Sequence, residues 1–308
     1  MPSISFLIVT RDEAPTLLDA TIKGVLETST GYSREIVVVD DASAVPISVD
    51  HPDVRVFRNE TSIGTCRSRR KAASESVGDI LVSLDAHMSF EPGWLEHMLA
   101  HVHSGALLCA SWWNYELTRP LCWGADFLWC GERDYHAGRC PGFSFRHRTR
   151  CPGEEAVEVP MLIGACYMML RNSYERIGGF SPFFRTWGRL EQDLSLRAWI
   201  TGLGVKCVPT AHVGHFSRAK FPYPVRWEDI EFNQLATVRT VFEESTARAF
   251  EQFLQPFPQQ VHNWLAETDF YEWRESIQRV RRMSDSDFFQ RFVPAAPECL
   301  RQAELQLT

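Results

Sequence analysis

The chain has 308 residues, 44% hydrophobic and 23% charged, with a formal net charge of -7. Such a composition can bury a sizeable globular core without a disulfide or metal staple. No stretch of the sequence approaches the roughly 20 apolar residues of a membrane-spanning helix, and the acidic balance argues against a nucleic-acid partner, whose binder carries a basic field.

Ser3 to Thr10 is apolar but has no basic flank and no small-residue cleavage site, so it reads as a first strand and not as a secretory signal. Ala14 to Thr28 has helical spacing through Leu17, Leu18, Ile22, Val25 and Leu26. Glu35 to Asp40 and Val54 to Phe57 are further strand runs. Cys66 to Val77 predicts a basic-faced helix closed by Gly78, and Asp79 to Leu84 a fourth strand. Uniformly apolar strands separated by helices imply an α/β fold, Rossmann-like, with a mostly parallel central sheet and helices on both faces. Ligands of such sheets bind beyond the carboxyl ends of the strands. There stand Thr10-Arg11-Asp12-Glu13, Asp40-Asp41-Ala42-Ser43 and Asp85-Ala86-His87. Turns and helix caps favour the same residue types, but three polar clusters at equivalent strand ends point to a site.

Residues 105–160 read as irregular, and Trp112, Trp113, Trp123 and Trp129 either line a binding surface or cover the sheet. Pro160 to Leu170 returns to strand character, and a helix follows toward Gly178-Gly179. Leu190 to Thr201 is helical, acidic at its start and closed by Gly202. From Val225 the pattern is helical and charged. It predicts a main domain over 1–224 and a helical extension over 225–308 packed on it, with the last ten residues fraying. Nine cysteines without a CxxC pair favour free thiols in a reducing, cytoplasmic compartment. The spacings from Cys122 to Cys151 are too wide for a zinc knuckle.

Asp85 and His87 are two residues apart. On an extended strand such residues point the same way, so a carboxylate and an imidazole can converge on one cation. Among third ligands, His215 in His212-Val213-Gly214-His215-Phe216 is the best candidate and His212 the competing one.

A series of motifs now carries a resemblance. It comprises Val39-Asp40-Asp41-Ala42-Ser43, Val54 to Asn59 leading to Gly64 and Arg67-Ser68-Arg69, Gly78-Asp79-Ile80, Leu84-Asp85-Ala86-His87 and Trp94-Leu95. It continues with Gly178-Gly179-Phe180, Trp187-Gly188, Leu194 to Trp199 and Val213-Gly214-His215. Over residues 1 to about 240 the chain resembles GT-A glycosyltransferases of the family 2 type, in particular polypeptide N-acetylgalactosaminyltransferase catalytic domains. The resemblance implies a metal-dependent hexosyltransferase that takes a UDP-sugar donor. The implied acceptor is a peptide Ser, Thr or Cys side chain, with a saccharide or small molecule as the alternative.

By the same resemblance, Asp41 contacts the uridine and Thr10 sits near the base. Asp85, His87 and His215 ligate Mn2+ (or Mg2+) against the diphosphate. Arg67 and Arg69 line the nucleotide side or brace Asp85; otherwise they belong to a solvated face with Arg70 and Lys71. Phe216 to Tyr223 matches a mobile loop in position and is expected to fold over the donor. There are two departures. Ser62 stands where the peptide-modifying enzymes carry a donor-contacting Arg, and Trp187-Gly188-Arg189-Leu190-Glu191 replaces Trp-Gly-Gly-Glu-Asn. Glu191 falls at the position of the catalytic Asp of inverting family 2 enzymes and is the candidate base. Its other reading, like that of Asp193, is a carboxylate favouring a helix N-terminus.

The chemistry suits this set. A departing nucleoside diphosphate gains negative charge, which a cation already held there stabilises, and mixed oxygen and nitrogen ligands suit Mn2+. A sugar-nucleotidyl transferase is disfavoured, because Thr10 to Pro15 is not a Gly-rich basic phosphate loop. A non-catalytic nucleotide-sugar-binding protein and a metal-dependent hydrolase are the remaining alternatives.

Overall fold

The parallel part of the sheet is built from runs too uniformly apolar to face water on either side. In the computed structural model, which describes residues 2–129, 143–218, 220–251 and 257–293, these runs follow in the expected order. They are β1 (Ile4–Thr10), α1 (Pro15–Thr28), β2 (Arg34–Asp40), β3 (Val54–Arg58), α2 (Thr65–Glu75) and β4 (Ile80–Leu84). β1 lies between β2 and β4, β3 borders β2, and all four are parallel. The two-residue period sends Ile36 and Val38 into one core with Leu18, Ile22 and Val25 of α1. Val37 and Val39 enter the other with Cys66, Ala72 and Ala73 of α2. Each large aliphatic side chain so buried contributes about 2 kcal/mol. Pro15, with its φ preset, opens α1.

The chain continues through β5 (Met88–Phe90), α3 (Trp94–Val102), β6 (Leu107–Asn114), β7 (Pro120–Cys122), β8 (Ala125–Trp129), β9 (Phe143–His147), β10 (Val157–Glu158) and β11 (Cys166–Leu170). Then come α4 (Arg171–Arg176), α5 (Leu190–Ile200) and β12 (Val205–His215). The sheet order is β10-β12-β6-β11-β4-β1-β2-β3. β6 and β12 are parallel, but β11 runs antiparallel between β4 and β6. The sheet is therefore mixed at this end, a feature apolar periodicity does not encode.

The stretch expected to be irregular supplies β6, a strand deep in the sheet, and the separate β8–β9 ribbon. Leu107-Leu108-Cys109-Ala110-Ser111 has no β-branched residue, so propensity hides it. The Trp129 side chain, Cys130, Cys140, Cys299 and the last ten residues lie outside the described residues.

Among the described residues five helices follow: α6 (Trp227–Val241), α7 (Glu244–Ala249), α8 (Gln259–Ala266), α9 (Phe270–Arg279) and α10 (Asp285–Phe292). Phe232, Leu235, Val238 and Phe242 share one core with Leu194, Leu196 and Trp199 around α5. α5 is buried nearly all round. Its Arg197 pairs with Asp193 and donates to the carbonyls of Ile177 and Gly179, pinning the Gly178-Gly179 turn. Among the described residues no helix is long and apolar enough to cross a membrane.

Candidate active site

The carboxyl ends of β1, β2, β4 and β12 open onto a cavity of about 800 Å³. Its walls include Thr10, Asp41, Asp85, His87, Glu191 and His215. Strand register makes this convergence. β12 pairs antiparallel with β5, setting His215 opposite Met88, and the Phe216 amide donates to the His87 carbonyl at 3.1 Å. Asp85, one residue beyond β4, is tied by its amide to the Ala165 carbonyl at 2.9 Å.

His87 Nε2 lies 3.1 Å from His215 Nε2, and His215 Nε2 lies 3.3 Å from Asp85 Oδ2. Two imidazole nitrogens at that distance repel unless a proton or a cation lies between them. One ligand atom from each residue falls within 4.8 Å of the others, a set that could hold one divalent cation. Among the described residues no other group of His, Cys, Asp and Glu does this. The His215 ring is stacked on Trp112 at 4.7 Å between centroids. His212 is engaged elsewhere, 2.5 Å from Glu91 and packed on Trp113. Trp112 thus lines the site, whereas Trp123 is buried against the sheet.

Asp85 is the one carboxylate of this group. Burial opposes its ionisation, but the hydrogen bond with His215 and the charges of Arg69 and His87 prevail, holding it well below the usual carboxylate range. Arg69, 3% exposed, places Nη2 2.5 Å from Asp85 Oδ1. Arg67 points out of the same helix, exposed and outside the cavity lining.

At the β2 end, Asp41 is buried and accepts from Asn59, Ser62 and Ser68 side chains and from the Ile63 and Gly64 amides, all at 2.8–3.0 Å. It shapes the loop before α2. Arg11 reaches the Ser62 hydroxyl at 2.8 Å, so a guanidinium from the β1 end stands at the position where Ser62 departs from the family pattern. Thr10 is 2% exposed, and its hydroxyl oxygen has no partner among the described residues.

Glu191 lies in the first turn of α5. Burial raises its carboxyl above the ordinary range; its own amide and Arg69 offset this in part, and Asp85 adds to it. The turn leading to it has positive φ at Thr186 (31°), Gly188 (100°) and Arg189 (68°). Asn233 of α6 holds that turn, accepting from the Arg185 amide at 2.7 Å and reaching the carbonyls of Arg185, Trp187 and Gly188. Residues 216–218 and 220–223 line the cavity, with the Phe221 ring 4.6 Å from that of Trp187. The sequence singled out neither Asn233 nor the pairing of Glu13 with His87 and Arg218.

The profile described as Glycosyl transferase family 2 matches residues 5–178, and one described as N-terminal domain of galactosyltransferase matches 153–220. Polypeptide N-acetylgalactosaminyltransferase 3 of Drosophila melanogaster is 28% identical over 266 residues, covering 79% of this chain and 39% of its own length. Probable N-acetylgalactosaminyltransferase 9 of Caenorhabditis elegans is 27% identical over 247 residues, 72% of this chain and 41% of its own. The chain spans about two fifths of the length of these curated relatives. Among solved structures, that of GalNAc-T7 with UDP, GalNAc and Mn2+ superposes with a TM-score of 0.75 at 19% identity, covering 96% of this chain and 57% of that one. S. aureus TarS 1–349 in complex with UDP-GlcNAc gives 0.55 at 12%, covering 98% and 87%. These likenesses show the GT-A fold.

Proposed function

The chain belongs to glycosyl transferase family 2, and on that premise we propose that it moves a sugar from a UDP-sugar to a Ser, Thr or Cys side chain of a peptide. The observation that carries this reading is the meeting of Asp85, His87 and His215 at the strand ends, beside Asp41 and Thr10 in one cavity. The peptide acceptor is supported by the kinship with N-acetylgalactosaminyltransferases named for polypeptides.

Asp85, His87 and His215 would hold Mn2+, with Mg2+ as substitute. The donor set fits, and GalNAc-T7, of the same fold, was crystallised with Mn2+. When bound, the cation neutralises the charge that grows on a departing diphosphate. The side chains do the rest. Arg69 keeps Asp85 ionised and in place, so we give the nucleotide-side arginine role to Arg69 and not to exposed Arg67. Asp41 fixes the loop against which the uridine lies, and Thr10 offers its hydroxyl to the nucleoside. Glu191, kept basic by burial, accepts the acceptor's proton. We keep 1–224 as the catalytic domain and 225–308 as a helical extension; the core that α6 shares with α5 supports the packing of its described helices on that domain. The free thiols of Cys66, Cys109, Cys122, Cys151, Cys166 and Cys207 support a reducing, cytoplasmic setting.

A donor screen that follows UDP release with Mn2+ and Ser-, Thr- or Cys-containing peptides tests the reading. Transfer that depends on metal and is lost in His87→Ala is expected. Metal-independent turnover unaffected by that change overturns it, and transfer to saccharides alone replaces the acceptor.

A further inference from the structure

Glu13 stands in the turn after β1, and the transfer chemistry above gives it no task. Its carboxylate is 5% exposed and lines the cavity. A carboxylate so placed is strongly unfavourable unless its oxygens are paired, and here both are. Oε2 lies 2.8 Å from His87 Nδ1. Oε1 accepts from the Ala14 amide at 2.9 Å and from the Arg218 guanidinium.

The two contacts have different consequences. An ionised carboxylate only accepts, so it holds a proton of His87 on Nδ1, and in the neutral form that a metal requires the Nε2 lone pair then faces His215 and Asp85. Arg218 lies three residues past His215, in the segment that lines the cavity, and its guanidinium is also 3.4 Å from His87 Nδ1. One carboxylate therefore joins a ring of the metal group to the chain that borders the donor space.

We propose that Glu13 is a positioning residue: it sets the tautomer and orientation of His87 and, through Arg218, ties the seating of residues 216–218 and 220–223 to occupancy of the metal group. The inference rests on the metal reading given above. No substrate contact is required of Glu13 itself.

The test uses the full chain without any sugar donor. Mn2+ affinity is measured by the loss of the free-ion EPR signal, and trypsin cleavage after Lys220 is timed with and without Mn2+. Glu13→Gln and Glu13→Ala are expected to weaken Mn2+ binding about 10- to 100-fold, the loss typical of a carboxylate behind a ligating histidine. At saturating Mn2+ the wild type is protected from cleavage and the Glu13 variants are not. Arg218→Ala, which leaves the Glu13–His87 contact intact, is expected to lose the protection while keeping most of the affinity. A wild type that binds no Mn2+ defeats the metal reading itself. A wild type that binds, with Glu13 variants that bind as tightly and are protected as well, overturns the positioning role alone.

Discussion

Arg69 and Asp85 meet in the wall of the cavity, with Nη2 2.5 Å from Oδ1. The guanidinium also donates to the Ser83 hydroxyl and to the Leu84 carbonyl, so α2 grips the last residues of β4 from beneath. Removing the guanidinium takes one partner from a half-buried carboxylate that His215 still contacts, so the cost falls below the ~3–5 kcal/mol typical of breaking a fully buried pair. Arg69→Ala is therefore expected to lower the unfolding free energy of the metal-free protein, read from urea titration, by about 1–3 kcal/mol. Arg69→Lys, which keeps the charge but not the fork, loses less. An Arg69→Ala protein as stable as the wild type removes Arg69 as the brace of Asp85.

Glu191 links stability and activity with opposite signs. Burial raises its carboxyl, so the fold favours the protonated form. Its contribution to stability is then full below the unfolded carboxylate value and is lost as pH rises through the raised folded value. Glu191→Gln removes the charge and keeps the shape. At neutral pH the variant is expected to unfold at higher denaturant than the wild type, with the two converging in acid. Transfer falls about 10²- to 10⁴-fold if the residue is the base, and the acid limb of the wild-type rate profile lies above the ordinary Glu range. Transfer that persists in the Gln variant removes Glu191 from the chemistry.

The legible part of the site is the part that local geometry encodes. Asp85 and His87 could be paired on paper because a strand end turns alternate residues the same way, and His215 followed as an imidazole after another apolar run. The choice between Arg67 and Arg69 was also open to reading. Cys66, Arg69 and Ala73 follow the helical period and are buried, which sets Arg67 on the outer face. By contrast, the meeting of Glu13 and His87 spans 74 residues, and that of Arg185 and Asn233 spans 48. No periodicity announces such contacts. The antiparallel direction of β11 and the strand character of β6 are tertiary in the same sense, set by the neighbours on either side.

Gly64 couples the loop before α2 to the turn before α5. Its φ is 89°, and a Cβ there would stand 2.7 Å from the Thr186 amide nitrogen, which is backbone and cannot swing aside. The Gly64 amide donates to Asp41 at 3.0 Å, and the next amide donates to the Thr186 carbonyl at 2.8 Å. Gly64→Ala adds an unfavourable backbone state of about 1–3 kcal/mol and pushes the two loops apart. The expected result is a lower unfolding temperature together with weaker UDP binding by calorimetry. Unchanged UDP affinity shows that the nucleotide does not depend on this loop.

Asn233 ties α6 to the turn at the cavity edge. The turn it holds carries Trp187 at the cavity edge and leads directly to Glu191, and three of its residues sit at positive φ. Backbone in that region persists only where its surroundings hold it. Here the holding groups are Asn233, with no exposed surface, and Asp229, which accepts from the Thr186 hydroxyl at 2.5 Å. Asn233→Asp keeps the acceptor for the Arg185 amide but cannot donate to the three carbonyls, so it is expected to behave much like Asn233→Ala. Each unmet buried group costs about 1–3 kcal/mol. A turn that relaxes by an ångström carries Glu191 with it, and misplacement of that size lowers rates on the order of 10²-fold. The loss is expected chiefly in kcat and less in UDP affinity, because Thr10 and Asp41, the residues proposed for the nucleoside side, stand on β1 and just past β2. If Asn233→Asp retains wild-type kcat, the turn supports itself and the extension only covers the core.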